Sequence, residues 1–195
     1  TEASHQMASN PLPPAVRKPG SVGLGTGVEI RIVDEAGCTL PEGSAGEVVI
    51  RGPNVITEYE NNPEATASSF FGDWFRTGDQ GVLDRDGYLR LTGRLKELIN
   101  RGGEKISPRE IDEVLLQHPA VKEAVAFGAP HATWGEVPAA AVVLEEGAAA
   151  NEAELAAFCR ERLADFKCPT KFFILQAVPR TASGKIQRLN VAKSL

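Results

Sequence analysis

The sequence predicts an α+β fold in two parts: short antiparallel strands first, then a small α+β domain. Three observations lead there. Through the first ninety residues, short alternating runs are punctuated by Gly, Pro and Asp turns. After Gly93, helical spacing alternates with apolar runs. Between them, GRLKELINRGGEKISPREID (Gly93–Asp112) leaves a strand through Gly-Arg, turns at Gly102-Gly103 and starts a helix at Ser107.

Element by element, Pro11–Pro19 (PLPPAVRKP) predicts an extended surface loop. Val28–Asp34 sets Val28, Ile30 and Ile32 against Glu29 and Arg31, the period of a half-buried strand, and Gly46–Arg51 (GEVVIR) predicts a second. Val82-Leu83 and Tyr88–Thr92, joined by Asp84-Arg85-Asp86-Gly87, predict a hairpin. Ser107-Pro108-Arg109-Glu110 has the form of a capping box with proline at the first helical position. Ile111, Val114 and Leu115 continue that helix, and His118-Pro119 stops it. Val121–Phe127, Ala139–Leu144 and Lys171–Val178 predict strands. Asn151 and Glu154 cap a helix whose Leu155, Phe158 and Leu163 form an apolar stripe.

Of the 195 residues, 42% are hydrophobic and 24% charged, as in ordinary globular chains. A net charge of -5 lacks the basic footprint of a nucleic-acid binder. Cys38, Cys159 and Cys168 contain no CxxC pair, which argues against a disulfide framework or zinc site and for a reducing compartment. No apolar run approaches the roughly 20 residues of a membrane span. The terminal Lys193-Ser194-Leu195 permutes a peroxisomal signal without matching it, so the expected location is intracellular, cytoplasmic or peroxisomal. The chain opens Thr1-Glu2-Ala3-Ser4-His5, without Met, and reads as a piece of something longer.

Three constellations have the residue types for chemistry. In Trp74–Asp79 (WFRTGD), an aspartate after a Thr-Gly turn can offer two oxygens to neighbouring hydroxyls such as those of a ribose; the plainer reading is a backbone cap. Arg94, followed closely by Lys96, can fork onto phosphate or hydroxyl oxygens, or can be a solvated surface arginine. Pro179–Arg188 (PRTASGKIQR) presents Lys185 after Gly184, but it is no phosphate-binding P-loop: Pro179 stands where the first glycine belongs and Ile186 replaces Ser/Thr.

In this order the motifs resemble the C-terminal portion of the adenylate-forming superfamily of acyl-CoA synthetases and AMP-dependent ligases. WFRTGD matches its nucleotide motif, GRLKELINRGGEKISPREID its hinge motif and PRTASGKIQR its terminal lysine motif. Thr1-Glu2 resembles the tail of its Tyr-Gly-x-Thr-Glu motif. Within the superfamily, the opening TEASHQMASNPLPPAVRKPGSVG resembles oxalate–CoA ligases.

The resemblance implies that residues 1–94 end a large AMP-binding domain and that 95–195 form a small mobile C-terminal domain. It implies ATP, Mg2+ and coenzyme A acting on a small carboxylate. Thr1, Asp79 and Arg94 would bind the nucleotide, Glu2 the metal, and Lys185 would be catalytic. Lys96 would be the hinge, and Gly102 and Gly103 would meet the pantetheine arm of CoA. His5 would face either the acyl pocket or its own loop. Because most of the large domain is absent, the 195 residues alone are expected to be inactive. A carrier-loading adenylation domain and a non-catalytic nucleotide-binding domain stay open as alternatives, and nothing in the sequence sets an oligomeric state.

Overall fold

The short apolar segments of the first ninety residues pair as antiparallel strands, which buries their apolar side chains and satisfies their backbone groups. The computed structural model describes residues 1–181, 184 and 186–195, in two units, Thr1–Leu95 and Lys96–Leu195.

In the first unit, β1 (Ala8–Ser9) and β2 (Leu24–Gly25) form a small ladder. A five-stranded antiparallel sheet contains β3 (Glu29–Val33), β4 (Gly46–Arg51), β5 (Phe70–Phe71), β6 (Trp74–Leu83) and β7 (Leu89–Arg94). Its order is β3-β4-β6-β5, with β7 also on β6. β4 is interior, which explains its unbroken Val48-Val49-Ile50: the three side chains enter three different apolar clusters, with Leu89, Trp74 and Phe75 respectively. Helix α1 (Pro63–Ser68) is an element the sequence reading missed; it is short, with proline in its first turn and Asn62 Oδ1 accepting Ala65 N–H at 3.0 Å.

The second unit contains β8 (Ile99–Arg101), β9 (Glu104–Ile106), α2 (Pro108–Leu115), β10 (Val121–His131), β11 (Gly135–Leu144), α3 (Glu152–Arg160), β12 (Phe172–Leu175) and α4 (Arg188–Ser194). β11 is the central strand, antiparallel to β10 along its length, parallel to β12, and touching β8 through Gly135 and Arg101. Both its faces are buried. Ala140 and Val142 pack with Ile111, Leu115 and Leu155 of α2 and α3, while Ala139, Ala141 and Val143 pack with Val191 of α4. Alanines let the layers on either side approach closely.

Several expectations are corrected. Ser107 is the N-cap of α2, but its side chain makes no capping bond. Glu110 is drawn instead to Lys167, with Nζ at 2.7 and 2.8 Å from its two oxygens. The second box does form: Asn151 Oδ1 accepts Glu154 N–H and Glu154 Oε2 accepts Asn151 N–H. β10 runs on through Gly128 and Pro130 to His131, because as an edge strand it tolerates proline's missing donor. Cys159, rather than Phe158, is buried beside Leu155; Phe158 lies under the Arg162 guanidinium at 3.6 Å. The last strand is shorter than Lys171–Val178.

Candidate functional site

Asp79 and Arg94 are brought together by sheet register: they are the last cross-strand partners of β6 and β7, at the end of the ladder away from the connecting turn, with Arg94 Nε 2.8 Å from Asp79 Oδ1. The end is shaped by a bulge. Along β4 and β6, Glu47 pairs with Gln80 and Val49 with Arg76, so Thr77, Gly78 and Asp79 together face the single residue Val48. A bulge of this kind bends the strand and re-aims its side chains.

Side chains replace the missing ladder bonds. Thr77 Oγ1 donates to Val48 O at 2.7 Å and accepts Asp79 N–H at 3.1 Å. Gly78 has φ 69°, which favours glycine, and its N–H reaches Glu47 Oε1 at 3.3 Å. Glu47 is 6% exposed and also takes Arg76 Nη2 at 2.9 Å. It is a functional support the sequence reading missed; the signal was a lone carboxylate inside GEVVIR. Arg94 adds a 3.3 Å bond to Thr77 O, so the arginine and the turn brace each other.

Glu2 and the residues after it lie along residues 54–56: Ile56 N–H donates to Glu2 O, Ala3 bridges Val55, and Ser4 N–H donates to Asn54 O. The Glu2 carboxylate is 3.5 Å from the Tyr59 hydroxyl and partly exposed. One accessible carboxylate suits Mg2+, which is commonly bound through one or two carboxylates with substrate phosphates completing its shell. Thr1 is exposed beside it, and His5 is exposed with φ 66°, a left-handed conformation uncommon for a non-glycine residue. A groove of about 630 Å³ in this unit is lined by Arg51, Val55, Thr66, Phe70 and Asp73 and includes none of these candidates.

In the second unit, Gly102 and Gly103 form the exposed β8–β9 turn, with φ 58° and 100°. Gly102 N–H donates to Trp134 O at 2.8 Å and Gly103 N–H to Asn100 Oδ1 at 3.1 Å. Trp134 lies against Gly102, where a Cβ would come within 2.7 Å of its ring, and Arg101 stacks on that ring at 4.5 Å. Lys96 is exposed in the 3-10 turn Leu95–Glu97, at the first position of the second unit. Lys185 lies outside the described residues. Among the described residues, no cluster of three or more His, Cys, Asp or Glu side chains could hold a metal, and no helix is long and apolar enough to cross a membrane.

Comparisons with known proteins agree with the family resemblance. Residues 1–60 match the family described as AMP-binding enzyme, and residues 110–185 match the AMP-binding enzyme C-terminal domain. An oxalate–CoA ligase of Saccharomyces cerevisiae is 53% identical over 100% of this chain and 36% of its own length. An oxalate–CoA ligase of Arabidopsis thaliana is 54% identical over 99% of this chain and 38% of its own. The crystal structure of ATP-bound MatB from Rhodopseudomonas palustris has a TM-score of 0.89 at 37% identity, covering 96% of this chain and 38% of that one. The chain thus spans a little over a third of the length of these relatives.

Proposed function

Because this chain belongs to the AMP-binding, adenylate-forming superfamily, we propose that it serves an ATP-dependent carboxylate–CoA ligase whose substrate is oxalate. The observation that carries the reading is the Asp79–Arg94 pair, braced on a bulge at the end of the first unit. A carboxylate held in this way suits the paired hydroxyls of a ribose, and its arginine keeps it oriented.

In the first half-reaction, the substrate carboxylate attacks the α-phosphorus of ATP, giving acyl-adenylate and pyrophosphate. Asp79 holds the ribose, Thr1 contacts the phosphate, and Glu2 holds Mg2+, which supplies charge neutralisation at the phosphates. Lys185 places an ammonium where negative charge redistributes between carboxylate and phosphate oxygens, a fixed-cation stabilisation. In the second, the CoA thiol attacks the acyl carbon and AMP leaves. The second unit turns about Lys96 between the steps, withdrawing Lys185 and bringing the side-chain-free Gly102–Gly103 turn against the pantetheine arm. His5 faces the second carboxylate of the substrate.

The test is ATP–pyrophosphate exchange by the full-length protein against a carboxylate panel, followed by acyl transfer to free CoA or to a phosphopantetheinylated carrier. Oxalate-dependent exchange and transfer to free CoA are expected. Exchange with other acids only would overturn the substrate, and transfer to the carrier only would overturn the acceptor. The 195 residues alone should show no exchange.

A further inference from the structure

Arg188 opens α4 three residues after Lys185, and its side chain is only 16% exposed. Its guanidinium binds three elements of the second unit. Nη1 donates to Ala126 O of β10 at 2.6 Å, Nη2 lies 2.9 Å from Asp112 Oδ2 of α2, and Nε donates to Glu97 Oε2 at 3.2 Å. Asp112 closes the knot by accepting Ala126 N–H through Oδ1 at 2.6 Å. Burial pushes the Asp112 carboxyl above the ordinary carboxylate range, while Arg188 and the Ala126 N–H pull it back. Removing the arginine would therefore strand a desolvated acid.

Buried ion clusters are a poor way to gain stability, since apolar replacements often do as well; their best-attested use is to specify one geometry. The geometry specified here is informative. Glu97 adjoins Lys96, and it is joined to a residue 91 positions away that adjoins the lysine loop. The other end of that loop is tied as well: Arg180 Nη2 pairs with Glu123 Oε2 at 2.7 Å, its Nη1 donates to Gly184 O at 3.1 Å, and its backbone bridges Ile186.

We propose that Arg188 is a positioning residue: it tethers the start of α4, three residues after Lys185 in the chain, to Glu97 beside the proposed pivot Lys96. The tether rests on the reading of Lys96 as pivot and Lys185 as the adenylation lysine. It needs a guanidinium, because three acceptors in different directions match a planar fork and not a point charge. The Gly102–Gly103 turn is outside the tether, since β8 follows the pivot directly through the backbone.

The experiment uses the full-length enzyme with Glu97→Gln, which leaves Arg188 paired to Asp112 and Ala126, beside Arg188→Lys and Lys185→Ala. Glu97→Gln should lower kcat for adenylate formation about tenfold with KM for ATP within about twofold, the pattern of a lost transition-state interaction. Thioester formation from supplied acyl-adenylate should be unchanged, and amide exchange in residues 186–191 should quicken. Arg188→Lys should lose more adenylation than Glu97→Gln. Equal loss of both half-reactions, or unchanged adenylation, overturns the tether. If adenylation survives Lys185→Ala, the role of Lys185 fails; the exchange readout then decides the tether alone, with quickened exchange supporting it and unchanged exchange overturning it.

Discussion

The turn Thr77–Asp79 is a set of side chains held by other side chains, whereas the turn Gly102–Gly103 is bare backbone held at its edges. In the first, Thr77, Glu47 and Arg94 each spend their polar groups on keeping Asp79 in place. In the second, Asn100 and the Trp134 carbonyl bind the amides, and nothing lies within 4 Å of where a Gly103 side chain would begin. A charged group that must meet hydroxyls has to be preorganised, whereas a surface that must admit a long arm has to be empty. On the proposed reading, function at the first would be lost by taking a side chain away, and at the second by adding one.

The sharpest way to break this contrast is a pair of variants in the full-length enzyme. Asp79→Ala should lower kcat/KM on the order of 100-fold in both half-reactions, since both use bound nucleotide. Gly103→Val should lower only the thiol-transfer step, on the order of tenfold or more, measured against unchanged ATP–pyrophosphate exchange. Valine at φ 100° also strains the backbone by ~1–3 kcal/mol, although its Cβ has nothing within 4 Å. Loss of exchange in the glycine variant would break the contrast.

Next in size is Glu47→Gln, which removes the charge behind the bulge. It should cost ~2 kcal/mol of stability, below the full penalty for breaking a buried pair because Arg76 is partly solvated. A denaturant midpoint that did not move would mean the bulge is held by Thr77 alone. In the second unit, Asn151→Ala should cost ~1 kcal/mol by removing a cap that does form, read in the same way.

The smallest effect is chemical. Burial pushes the Cys159 thiol up to about 11 and also raises Cys168. The folded state therefore holds the Cys159 proton: its contribution to stability is full below the ordinary thiol value near 8.5 and is lost as pH rises through about 11. At pH 8 a thiol reagent should label exposed Cys38 rapidly, and the two buried cysteines only on unfolding, as mass spectrometry would show.

Much of the second unit was legible because its signals are local. The box at Asn151 and the apolar runs of β10 and β11 depend on neighbours a few residues apart. The reading failed where a distant partner competed: Lys167 drew Glu110 away from Ser107, and the sheet edge let β10 continue through Pro130. Glu47 was invisible for the same reason, since its partners are about thirty residues on.

By itself, the sequence determined the α+β class, the order of motifs and the chemical types present at Asp79, Arg94 and the paired glycines. These follow from periodicity, turn chemistry and residue identity, which are properties of short segments. Only the tertiary structure decided that three residues of β6 bulge opposite one of β4, that Arg94 thereby meets Asp79, and that Arg188 joins Glu97 across 91 positions. Strand register and the closing of long loops depend on which distant surfaces bury together, and no short window of sequence contains both sides of that contact.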